Sequence, residues 1–436
     1  MTAGGPALPP AAEASPEAAI APDAHRAIEA VWRIESARLI AGLARIVRDV
    51  GLAEDLAQDA LVAALEQWPE SGVPDKPGAW LMATAKHRAI DALRRKALAG
   101  RKQDELGRQL EASRGAAHDL DAAIDEDVGD DLLRLIFTAC HPVLTTEARV
   151  ALTLRLLGGL TTDEIARAFL VPEGTVAQRI VRAKRTLTAA RVPYEVPSGP
   201  ELGVRLSSVL QVIYLIFNEG YSATAGDDWM RPALCEEALR LGRILAELTP
   251  TEPEVHGLVA LMEIQASRTG ARVGTSGEPI PLLEQNRGRW DQLLIRRGLA
   301  ALARAETLGG TLGSYALQGA IAACHARART AEETDWERVA ALYDALAHAA
   351  PSPVVELNRA VAVAMAFGPV AGLEIADSLL EEQSLRAYHL LPAVRGDLLA
   401  KLGRHAEARA QLERAASLTR NAREREVLLG RAAAAE

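Results

Sequence analysis

The stretch Leu160 to Ala190, LTTDEIARAFLVPEGTVAQRIVRAKRTLTAA, decides the fold. Gly158-Gly159 ends the preceding helix, and Thr161 and Glu164 stand at capping-box spacing, each able to satisfy an orphan N–H of a new helix. Ile165, Ala166 and Phe169 form the inner face of that short helix; Leu170-Val171-Pro172-Glu173 makes a tight turn, and Gly174 opens a second helix. There Val176, Ile180, Ala183 and Leu187 recur at i, i+4, i+7 and i+11 as one apolar stripe, which turns Thr175, Gln178, Arg182 and Arg185 away from the core. An apolar back with a hydrogen-bonding, cationic front is what a helix needs to read base edges and hold phosphates. An ordinary amphipathic hairpin with a solvated basic face has the same pattern, so the rest of the chain must choose.

Working outward, the 436 residues are too many for one ordinary domain. Hydrophobic residues make up 49% and aromatics only 4%, a core of Ala, Leu, Val and Ile typical of helix-on-helix packing. Nearly every segment reads as helix, and strand alternation is nearly absent, so the expected class is all-α. The net charge of −9 argues against a nucleic-acid binder, but the charge is unevenly spread. Lys86, Arg88, Arg94, Arg95, Lys96, Arg101 and Lys102 are offset by a single acid, Asp91. Arg179, Arg182, Lys184, Arg185 and Arg191 are interrupted by none. Two basic segments in an acidic chain are local footprints for phosphate. Cys140, Cys235 and Cys324 are far apart, with no metal-ligand spacing, and fit a reducing cytoplasm. No stretch is read as a membrane span. The excess of Arg over Lys suggests a GC-rich bacterial genome.

Residues 1–24 lack a basic start and an apolar core, so they are expected to be a disordered tail rather than a signal peptide. A helical unit spans 25–97, an acidic linker 98–130, and the helix-turn-helix unit 131–191. Val192 to Pro200 breaks the helix. Helices resume from Glu201, in an extension domain over 201–300 and helical repeats over 301–436, with a long loop at Arg272 to Asn286. Gly368-Pro369-Val370-Ala371 recurs in kind as Gly403-Arg404-His405-Ala406, each following an apolar helix and opening another, as in tetratricopeptide repeats.

In the first unit, AEDLAQDALVAALEQW begins a helix at Leu52 that ends near Trp68-Pro69. A loop, Glu70 to Gly78, leads to a helix on which Met82, Ala89, Ile90 and Leu93 cluster. Trp80, Thr84, His87, Arg88, Asp91 and Arg95 lie on its far side. Trp80 is either a platform for unstacked bases or a half-buried residue at a helix start.

These two motifs, W-L-x-x-x-A-K-H-R-A-I-D-A-L-R-R among them, together with E-G-T-V-A-Q-R-I-V-R-A-K-R-T-L, resemble an extracytoplasmic-function RNA polymerase sigma factor of the sigma-70 superfamily. YLIFNEGY (Tyr214 to Tyr221), LLEQNRGRWD (Leu282 to Asp291) and PSPVVELNRAVA (Pro351 to Ala362) resemble the subgroup with a tetratricopeptide-like C-terminal extension. Asn286 stands where that subgroup commonly has Asp, and His87 where many relatives have Asn. The chain is expected to be a cytoplasmic, non-enzymatic protein without cofactor or metal. The resemblance implies that Glu54, Asp55, Gln58 and Asp59 dock on core polymerase. Trp80, Lys86, His87, Arg88, Arg94 and Arg95 would take the −10 element, and Thr175, Gln178, Arg179, Arg182 and Arg185 the −35 element. The extension would stand in for a separate anti-sigma partner, either inhibiting or assisting. Asn218, Glu219, Trp290 and Asp291 either line a groove for a peptide or small ligand, or tie helices together through buried hydrogen bonds. Glu219, His256, His325 and His389 form no recognisable catalytic arrangement. A DNA-binding regulator with a repeat-type sensor would share the helix-turn-helix but not the AEDLAQDA and W-to-RR motifs.

Overall fold

The computed structural model describes residues 17–103, 128–222, 230–274 and 279–434. Most of the expected tail, residues 1–16, and most of the expected linker, residues 104–127, lie outside them. The described residues are helical, with one isolated β-bridge, Val273 to Pro279, and no strand. Two compact units form: residues 1–139, 151–161 and 179–197, and residues 140–150, 162–178 and 198–436.

In the first unit α1 (Glu17–Val47) takes in the last eight residues of the expected tail, because Glu17-Ala18-Ala19 form a good first turn. Left-handed Arg48 breaks it, and Asp49 caps α2 (Val50–Ser71) by accepting from the Leu52 N–H at 2.9 Å. Pro69 does not stop α2; the helix runs on to Gly72, whose φ of 82° suits only glycine and whose N–H meets the Trp68 carbonyl at 3.0 Å. The third helix, α3 (Pro77–Gln103), extends six residues beyond the expected end at 97. Helix α1 packs on α2, α3 and α4 (Val128–Ala139), around Ile40, Leu43, Trp68, Leu81 and Leu135. The buried line of α3 is Leu81, Ala85 and Ala89, whereas Met82, Ile90 and Leu93 are only half-buried. Ala89 is buried as expected; small alanines admit a neighbouring helix, so the packed face centres on Leu81, Ala85 and Ala89 rather than on Met82, Ile90 and Leu93.

Residues 146–189 carry α5 (Thr146–Leu156), α6 (Thr162–Phe169) and α7 (Glu173–Ala189). The second unit continues with α8 (Pro200–Tyr221), α9 (Pro232–Leu248) and α10 (Pro253–Ala266). Helix α8 is long and apolar enough to cross a membrane by length and composition, against the expectation of no such stretch. Half of that window is buried inside the protein, Arg205 among the buried residues, which is the pattern of a core helix. Two short turns, Leu282–Glu284 and Arg287–Arg289, occupy the expected loop. Then follow α11 (Gln292–Thr307), α12 (Ser314–Arg327), α13 (Trp336–Ala349), α14 (Pro353–Phe367) and α15 (Pro369–Ser378). The last three are α16 (Leu390–Lys401), α17 (His405–Leu418) and α18 (Ala422–Ala434). From α12 onward each helix packs on the next. Gly368 (φ 100°) and Gly403 (φ 73°) make the two matching turns, where a side chain would be strained.

Candidate functional site

The helix-turn-helix forms as its spacing requires. Val176, Ile180, Ala183 and Leu187 are buried, and so are Ile165 and Ala166 of α6. The turn is closed by the Pro172 carbonyl, which accepts from the Thr175 N–H at 2.9 Å. Gln178, Arg182 and Arg185 are exposed, and Thr175 and Arg179 half-buried. Helix α7 therefore presents a polar, cationic face opposite a packed one.

On α3, His87, Arg94 and Arg95 are exposed, and Lys86 and Arg88 half-buried. Arg94 lies 3.7 Å from the Asp91 carboxylate, and Arg95 donates to the Asp91 carbonyl at 3.4 Å. Trp80 is half-buried and meets the buried Trp68 ring edge-on, centroids 5.3 Å apart. Its ring is thus already engaged on one side.

The four α2 residues do not behave alike. Asp55 and Asp59 are exposed. Glu54 is 3% exposed, and one carboxylate oxygen accepts from Arg155 Nε at 2.6 Å while the other lies 2.5 Å from Lys184 Nζ. Gln58 Nε2 donates to the same carboxylate at 2.7 Å. Asp131, the first residue of the expected helix-turn-helix unit, is likewise buried and paired, with Arg45 at 3.0 Å and Arg134 at 2.6 Å. It lies in the first turn of α4, which begins at Val128, three residues inside the expected linker. The Tyr194 hydroxyl lies 2.9 Å from the carbonyls of both Ala41 and Asp131, and burial pushes its pKa far up. Arg155 and Lys184 are the partners that sequence reasoning passed over. Their only signal was a lysine on the inner edge of an otherwise exposed basic run.

Of the extension residues, Asp291 caps α11, accepting from Leu293 N at 2.8 Å and Leu294 N at 3.1 Å. Glu219 is ion-paired with Arg231, and half-buried Asn218 offers its carbonyl to Ser222 N at 2.8 Å. Asp291 and Glu219 thus make local structural contacts, and the Asn218 bond is made by its backbone alone. Trp290 is buried with Ala271 and Ile295. At the other end of α8, Ser208 donates to the Cys140 carbonyl at 2.6 Å and accepts from Arg149. Among the described residues no group of His, Cys, Asp and Glu could hold a metal.

A helical region ahead of a helix-turn-helix whose outer face is basic is the arrangement of a DNA-binding transcription protein. Residues 34–98 match Sigma-70 region 2, residues 134–187 match Sigma-70 region 4, and residues 205–306 match a family of unknown function, DUF6596. SigK of Mycobacterium ulcerans, an ECF RNA polymerase sigma factor, is 31% identical over 153 residues, 33% of this chain and 75% of that one. A probable ECF sigma factor of Mycobacterium tuberculosis, SigI, is 28% identical over 174 residues, 38% of this chain and 57% of its own. An uncharacterised protein of Rhizobium meliloti is 42% identical over 384 residues, 88% of this chain and 89% of that one. No solved structure matches. The chain belongs to the extracytoplasmic-function RNA polymerase sigma factors.

Proposed function

We propose that the protein directs promoter-specific transcription initiation in the cytoplasm: α2 docks on core polymerase, α3 takes the −10 strand and α7 reads the −35 element. The observation that carries this reading is the outer face of α7, where Gln178, Arg182 and Arg185 stand exposed opposite a buried stripe. Exposed His87, Arg94 and Arg95 on α3 supply a second cationic surface. Phosphate contacts from such residues position the duplex, and base contacts from Gln178 and Arg182 supply specificity. Trp80 acts here as a wall, fixed by Trp68, rather than as a free stacking platform.

The buried state of Glu54 gives this reading a consequence. Docking through that carboxylate requires its pairs with Arg155 and Lys184 to break, so the form described here is closed toward polymerase. The 201–436 extension modulates that step in place of a separate anti-sigma protein. Support comes from Ser208 of α8, which holds both Arg149 and the Cys140 carbonyl just ahead of the helix-turn-helix.

Run-off transcription with purified core polymerase and a library of promoter fragments tests the proposal. Full-length protein is expected to start transcripts at a defined subset. If it shifts DNA alone yet starts none, it is a regulator that works without replacing sigma.

A further inference from the structure

The second unit buries two arginines that no carboxylate among the described residues ion-pairs with. Arg268, just past α10, is 6% exposed and its side chain makes no hydrogen bond; Nε is among the orphaned buried atoms. Arg287 is 8% exposed and spends its terminal nitrogens on neutral acceptors: the carbonyls of His325 (2.8 Å) and Ala328 (3.0 Å) and the Thr334 hydroxyl (2.9 Å). Its Nε has no partner either. Both guanidinium groups lie over the Trp290 ring, at 5.7 and 5.2 Å from its centroid. Trp290 is 3% exposed, and its indole N–H is also orphaned. So is Nδ1 of His325, the residue whose carbonyl holds Arg287.

Native proteins satisfy buried polar atoms, and a cluster that fails to do so marks a missing partner. Each of these four orphans is a donor or can be one, and two carry charge. A cation–π contact offsets part of the cost of burying a guanidinium, but it gives an N–H nothing to bond. Neither Arg268 nor Arg287 is ion-paired with a carboxylate among the described residues; Glu332 and Glu333 act on Arg287 only from beyond ion-pairing distance. Burial together with the two arginines holds His325 neutral, its pKa pushed down to about 4, so it can offer a ring N–H without adding a third charge.

We infer that Arg268, Arg287 and the Trp290 indole N–H form a binding site for a small oxyanion, the phosphate or carboxylate group of a metabolite. Near-complete enclosure suits a compact ion rather than an extended peptide. That the ligand acts on transcription rests on the sigma reading; the binding does not, and it is measured without polymerase or DNA.

The test is a thermal-melting titration of the full chain with sodium phosphate and with sodium malonate, each against sodium chloride at matched ionic strength. A saturable stabilisation by either anion beyond chloride is expected; phosphate alone points to a phosphate ester, malonate alone to a carboxylate. Arg268→Met is expected to raise the apparent Kd about tenfold to a hundredfold, the weight of a hydrogen bond to a charged group. Trp290→Phe keeps the ring, removes the donor and should weaken binding by about threefold to tenfold. Should Arg268→Met not fold, Trp290→Phe decides. The inference fails if neither anion gives a saturable shift. It fails equally if the folded variants titrate like the parent, which is an adventitious ion only.

Discussion

Replacing Lys184 by Met removes one of the two cations that hold Glu54 inside the protein. Breaking a fully buried ion pair costs about 3–5 kcal/mol. Lys184 is 19% exposed, and Glu54 keeps Arg155 at 2.6 Å and Gln58 at 2.7 Å, so the loss here is smaller, about 2 kcal/mol. Glu54→Gln loses more, about 3 kcal/mol, because both cations are stranded, although Arg155 retains the Leu160 carbonyl at 3.1 Å. A double-mutant cycle in urea, followed by tryptophan fluorescence, should return a coupling of about 1–2 kcal/mol between the two positions. The same pair separates stability from function. If the closed form is favoured by about 2 kcal/mol through this contact, releasing it raises the apparent affinity for core polymerase up to about 30-fold. Lys184→Met tests this cleanly, since Glu54 is itself proposed to dock. A coupling below about 0.5 kcal/mol, or unchanged polymerase binding by Lys184→Met, refutes the view that Glu54 is held closed.

Tyr194→Phe leaves the Ala41 and Asp131 carbonyls without their shared donor and should cost about 1–2 kcal/mol in urea denaturation. His325, with its pKa lowered from 6.5 to about 4 by burial and the neighbouring arginines, contributes stability present above the unfolded value and lost as pH falls toward the folded one. Between pH 8 and pH 5 that loss is about 2 kcal/mol, and His325→Gln should remove it from the difference between the two pH values. Arg182→Ala should weaken binding to a −35 duplex about tenfold; a lower slope of log affinity against log salt would mark a phosphate contact, and relaxed discrimination at one base pair a base contact.

The parts of this molecule that could be read from sequence are those whose partners lie close in the chain. The stripe Val176, Ile180, Ala183 and Leu187 is buried throughout because four large or small apolar residues at helical spacing leave one choice of face. On α3 the face was misread in part: Ala89 is buried as expected, but Met82, Ile90 and Leu93, which outweigh alanine on any hydrophobic scale, are only half-buried, and Leu81 and Ala85 complete the packed line. Glu54 could not be told from Asp55 or Asp59. Its burial depends on Arg155 and Lys184, more than a hundred residues away. Arg268 and Arg287 were equally silent, since an arginine beside a Gly-rich turn normally faces water. Trp290 was singled out, for either a ligand groove or a structural tie, and the enclosure around it belongs to the tertiary fold.

One helix joins the two observations that bear on regulation. Ser208, near the start of α8, holds the Cys140 carbonyl and Arg149; Tyr221, at its end, lies under the Arg272 guanidinium at 3.5 Å and within 5.8 Å of Arg268. At 1.5 Å per residue Ser208 and Tyr221 are about 20 Å apart along a single unbroken rod. A helix of that length transmits displacement without a chain of side-chain rearrangements, whereas a loop would absorb it. At the proposed anion site, an anion that drew Arg268 away from Tyr221 would change what packs on the last turn of α8, the helix whose Ser208 holds the segment ahead of the helix-turn-helix. Coupling by this route needs two positions of α8 with different affinity for the anion.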